Sequence, residues 1–84
     1  MIAKIWYIRE ISDRPGEYIY RDFDIPYVLP DKSYINDEYG EIYKFEEPSY
    51  NVTEGRLEFI LDSISYSEIG SYTAIGWKHY EVIE

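Results

Sequence analysis

The chain has 84 residues, with 17 carboxylates against eight basic side chains, and its formal net charge of -9 repels nucleic acid and anionic membrane while favouring cationic partners. It has no cysteine, which excludes disulfides, thiolate metal sites and thiol chemistry. Aromatic residues at 19% of the chain, eleven of them tyrosines, exclude a disordered polymer and point to one modest core, a single domain over 1–84.

Ile2 to Ile11 carries apolar residues on both faces and predicts a buried strand. Its apolar run from Ile5 to Ile8 is far too short for a signal-peptide core or a membrane span, so a cytoplasmic location is the default expectation. Ser12-Asp13-Arg14-Pro15-Gly16 predicts a turn, with proline fixing φ and glycine free to take a positive one. Glu17 to Ile25 then alternates, with Ile19, Arg21, Phe23 and Ile25 on one side and Tyr18, Tyr20, Asp22 and Asp24 on the other. The two segments predict a hairpin.

Pro26 and Pro30 leave room for at most a short edge strand at Tyr27–Leu29. Asp31 to Gly40 is polar and turn-rich, and Glu41 to Glu46 is a short strand closed by Pro48, so 26–50 predicts long loops. Asn51 and Glu54 are spaced like a helix capping box, and Leu57, Ile60, Leu61 and Ile64 recur at helical spacing. The rival pattern, Leu57, Phe59 and Leu61 at period two, is a strand after Gly55, and the β-like neighbours favour it. Ser63 to Gly70 alternates again. Tyr72 to Ile83 predicts a long closing strand, with Thr73, Ile75, Trp77, His79 and Ile83 on one face and a bulge, bend or close backbone approach at Gly76.

The fold class expected is therefore all-β or mostly β. Five to six short antiparallel strands would form a small barrel or curved sheet, with room for one short helix near 53–64.

Catalysis finds little support. His79 is the sole histidine, the serines at 63, 65, 67 and 71 have no sequence link to it, and the five glycines are too dispersed for a phosphate loop. The expectation is no enzyme, no catalytic residue, no metal and no cofactor. Direct nucleic-acid binding is disfavoured because the basic residues are scattered and outnumbered two to one. Membrane attachment fails on the sign of the charge.

A protein-binding role remains. Asp22, Asp24, Glu38, Glu41, Glu46, Glu47, Glu54, Glu58 and Asp62 are the candidate charges, and Tyr39, Tyr43 and Tyr50 the candidate anchors, for docking on a basic protein surface. Glu54, Glu58 and Asp62 recur at four-residue steps, which in a helix would make a carboxylate row able to imitate spaced phosphates. The expected partner is a basic protein, such as a nuclease or other nucleic-acid-binding protein, and size and charge fit the class of small phage-type antagonists. The alternative is a structural or assembly subunit that uses tyrosine-rich contacts without charge mimicry, including a homodimer sealed at Trp77.

Overall fold

The computed structural model describes residues 2–82. Seven strands run β1 Ala3–Ile11, β2 Glu17–Ile25, β3 Ser33–Asn36, β4 Ile42–Phe45, β5 Ser49–Asn51, β6 Arg56–Ile64 and β7 Lys78–Glu81, with a 3-10 turn at Tyr66–Glu68 and a short helix α1 at Ile69–Thr73. Five of them form one sheet in the order β5-β6-β1-β2-β7, and β3 and β4 form a separate hairpin.

The β1–β2 hairpin forms as its alternation dictates, pairing Ala3 with Ile25 through to Glu10 with Tyr18. Its turn uses a positive φ at Asp13 and at Gly16. Both strands send every second side chain inward, so Ile5, Tyr7, Ile19 and Ile25 meet Phe59 of β6 in a common core. The β3–β4 hairpin lies over this inner face, contributing Tyr43 and Phe45, and Trp77 seals the same cluster. The shortest extent of the molecule is 17 Å, room for a sheet and one covering layer.

The sequence-based expectations need correction in several places. The sheet is open rather than a barrel, because β5 and β7 end it as two separate edges that never pair. It is not wholly antiparallel: β1 and β6 run parallel, from Ile5 opposite Leu57 to Arg9 opposite Leu61, and the long connection through β3, β4 and β5 makes that crossover possible. The region 26–50 is less loop-like than expected: beside the expected short strand, β4, it holds β3 and the start of β5, and no strand forms at Tyr27–Leu29, where the prolines left room for at most a short one.

No helix forms in 53–64; that segment becomes β6, as the period-two pattern requires. The Asn51 cap is nevertheless made, its Oδ1 accepting from the Glu54 amide at 3.0 Å. Gly55, at φ +69, then turns the chain away from a helix and into the strand.

The helical turn lies further on. Ser65 and Glu68 have capping-box spacing, and the Ser65 amide donates to the Glu68 carboxylate at 3.1 Å, which starts the 3-10 turn and α1 where alternation had predicted strand. The closing strand shrinks to β7, because Gly76 at φ +94 bends the chain after the helix. Trp77 is therefore a core residue, 5% exposed. Ile83 lies outside the described residues.

Candidate functional site: the outer face of the sheet

Strand alternation fixes what the second face of the sheet displays. β1 presents Lys4, Trp6, Ile8 and Glu10; β2 presents Tyr18, Tyr20, Asp22 and Asp24; β6 presents Arg56, Glu58, Ile60 and Asp62; β7 presents Lys78 and Tyr80. Ile35, Tyr43 and Phe45 of the covering hairpin and Ile69 and Tyr72 of α1 pack on the opposite, inner face. Ile60 is 64% exposed and Tyr80 45% exposed on this second side.

A ladder of rings and cations takes the place of a covering layer there. Trp6 and Tyr20 stack at 3.9 Å between centroids with their planes 2° apart. The Arg56 guanidinium carbon lies 3.5 Å from the Trp6 ring centroid, and Lys78 Nζ lies 5.8 Å from that of Tyr20. Carboxylates hold both ends: Arg56 Nε donates to Glu58 at 2.7 Å, and Lys78 Nζ sits 3.3 Å from Asp22. Asn51 Nδ2 donates to the same Glu58 oxygen, which fixes the carboxylate. Tyr18 lies 4.9 Å from Tyr80, and burial together with the Tyr80 hydroxyl pushes the Tyr18 phenol above its usual pKa.

This geometry has a chemical consequence. Both π faces of Trp6 are taken, by Tyr20 on one side and Arg56 on the other, while Tyr20 stacks on Trp6 with one face and has Lys78 Nζ 5.8 Å from its centroid. Nucleobases need free faces on which to stack. Both faces of Trp6 are therefore closed to stacking.

The structure divides the sequence-predicted residues among three places. Asp22, Asp24, Glu58 and Asp62 share the outer face, with Glu54 beside it, 3.8 Å from Arg56. Glu54, Glu58 and Asp62 make no helical row: Glu54 lies in the turn before β6, and the other two stand about 13 Å apart along a strand. Glu38, Tyr39, Glu41, Glu46 and Glu47 lie on the β3–β4 hairpin, on the other side of the sheet. Tyr50, 62% exposed, lies at the β5 edge near Ile2 and Val28.

Tyr43 is a core residue, 6% exposed, and cannot anchor a partner. Its hydroxyl donates to Asp37 at 3.1 Å, and burial with that carboxylate pushes its pKa up to about 12. Asp22, Glu38, Glu46, Glu54 and Glu58 each have a cation within ion-pair distance. Asp24, Glu41, Glu47 and Asp62 have none among the described residues.

Trp6, Tyr18, Tyr20, Ile60 and Tyr80 escaped the sequence-based selection of partner-facing residues. The signal was available: the alternation of Lys4, Trp6, Ile8 and Glu10 repeats that of Tyr18, Tyr20, Asp22 and Asp24 on the paired strand. Among the described residues no three His, Asp or Glu side chains converge to hold a metal, and no helix is long and apolar enough to cross a membrane. No protein-family model, curated protein or solved structure matches this chain.

Proposed function

We propose that the chain is a non-catalytic protein-binding module, working in the cytoplasm, that docks the outer face of its sheet on a basic protein. The observation that carries this reading is the Arg56–Trp6–Tyr20–Lys78 ladder on an uncovered sheet face, with Ile60 and Tyr80 standing clear of it. Uncovered aromatic and apolar surface of this sort marks interaction sites on soluble proteins.

Charge selects the occupant. Glu10, Asp24 and Asp62 rim the face without a cation in ion-pair range among the described residues, so they are open to lysine and arginine of a partner. A second copy would bring another net charge of -9 against the first, which opposes self-association. Nucleases and other nucleic-acid-binding proteins carry suitable cations around their ligand grooves. Imitation of a phosphate row has weaker support, because the candidate carboxylates fall on separate faces and five of the nine are paired within the chain.

The test starts with capture from host lysate on wild-type chain and on Ile60→Lys, Tyr80→Ser and Val52→Lys variants. Val52 is 82% exposed and lies in the β5–β6 turn, so its variant is the control. The purified partner should bind the first two variants at least about tenfold more weakly and the control normally. Its affinity should fall as salt rises from roughly 0.05 to 0.5 M. Salt-independent binding that survives Ile60→Lys but is lost with Tyr50→Ser would instead favour an assembly subunit acting through the Ile2–Val28–Tyr50 end of the sheet.

A further inference from the structure

Two arginines project from the inner face of the sheet, and the chain treats them differently. Arg21 is met by Glu38 at 2.8 Å, by Asp37 at 3.7 Å and by the Gly76 carbonyl at 3.4 Å. Arg9 donates from Nη1 to the Asp62 carbonyl at 3.0 Å; its enclosed Nε, like that of Arg21, has no acceptor. Its guanidinium carbon sits 5.4 Å from the Tyr72 ring centroid and 5.6 Å from that of Trp77. Although the chain holds 17 carboxylates, none among the described residues lies in ion-pair range of Arg9.

Arg9 lines a cleft of about 300 Å³ between β1, the β3–β4 hairpin and the segment after α1. Tyr72, Trp77, Ile75 and Leu61 give it aromatic and branched walls; Lys44, already engaged by Glu46 at 2.9 Å, and Glu41, without a cation partner among the described residues, line it too. A volume near 300 Å³ is where small-ligand sites begin, and the lining here is more polar than apolar, which suits a ligand with charged groups. A bare anion would enter against the field of a chain carrying -9. A zwitterion carries no such penalty, and it answers one unpaired cation and one unpaired carboxylate at once.

We propose that this cleft binds a free α-amino acid with an aromatic or branched side chain. Its carboxylate would lie on Arg9, its ammonium on Glu41, and its side chain against Tyr72 and Trp77. The cleft and the outer ladder lie on opposite sides of the sheet, so either assignment stands without the other.

The experiment uses the full chain carrying Trp6→Phe, which leaves Trp77 as its one indole. L-phenylalanine, 3-phenylpropionate and phenethylamine are titrated while Trp77 emission is followed, with calorimetry in parallel. Saturable binding of phenylalanine is expected, about tenfold tighter than either single-charge analogue, a factor that corresponds to about 1.4 kcal/mol. Arg9→Gln and Glu41→Gln should each weaken it by a similar factor. Absence of saturation by roughly 20 mM phenylalanine, equal affinity for the three probes, or full binding by Arg9→Gln would overturn the assignment. Should Arg9→Gln not fold, the three-probe comparison on the otherwise intact chain decides alone.

Discussion

Gly76 and Arg21 interlock. A Cβ on Gly76 would stand 2.7 Å from Arg21 Nη1, the same nitrogen that donates to the Gly76 carbonyl. The glycine, at φ +94, thus both turns the chain between α1 and β7 and leaves space for a buried guanidinium. Arg21 in turn ties β2 to the Asp37–Glu38 turn of the hairpin that covers the core.

Gly76→Ala should therefore cost more than backbone strain alone, about 2 kcal/mol or above. Gly55, at φ +69 with nothing within 4 Å of a built Cβ, is the internal comparison. Gly55→Ala should cost about 1 kcal/mol. Urea denaturation of the two variants checks the ranking, and equal losses would remove the steric half of the argument.

Arg21→Met should destabilise by about 3 kcal/mol, because it leaves the Asp37 carboxylate enclosed without its cation. Glu38→Gln should matter much less, since that side chain is 64% exposed. Thermal unfolding of both variants at neutral pH separates the two carboxylates.

Two titrations bound the neutral plateau of stability. Burial alone would raise the Asp37 pKa, but hydrogen bonds from the Glu41 and Tyr39 amides and the Tyr43 hydroxyl, with the charge of Arg21, hold it below the usual value. Its contribution is complete above the unfolded value of roughly 4 and is lost as pH falls through the lower folded value. Tyr43, pushed up to about 12, contributes fully below roughly pH 10 and loses that contribution as pH climbs to its folded value. A curve of Tm against pH should have a flatter acid limb in Asp37→Asn. Tyr43→Phe should flatten only part of the alkaline limb, because burial also raises the Tyr7 phenol.

The ladder should be measurable as a coupling. A double-mutant cycle with Trp6→Ala and Tyr20→Ala is expected to give an interaction of about 0.5–1.5 kcal/mol beyond the two single losses. Additive losses would mean that the stack is only adjacency.

The local patterns that could be read in the sequence were those confined to one turn or one pair of strands. The β1–β2 hairpin, the two faces of Glu17–Ile25 and the strand after Gly55 all follow from period two and turn chemistry. What escaped depended on partners distant in the chain. Nothing near Leu57 announces a parallel neighbour in Ile5, and nothing near Trp77 says that Tyr43 and Tyr72 will enclose it. Alternation in Ser63–Gly70 was overridden by a four-residue cap, from Ser65 to Glu68. The candidate site divided in the same way: Asp22 and Asp24 were placed with Tyr18 and Tyr20, while Trp6 joined them only through strand pairing.

The central position of β1 has a kinetic consequence. Ile5 faces Phe23 across a short turn and Leu57 across most of the chain, so its two neighbours carry very different loop-closure costs. The hairpin pairing should therefore belong to the folding transition state, and β6 should dock afterwards. Trimming Phe23 to Leu would then slow refolding, whereas trimming Leu57 to Ala would chiefly hasten unfolding.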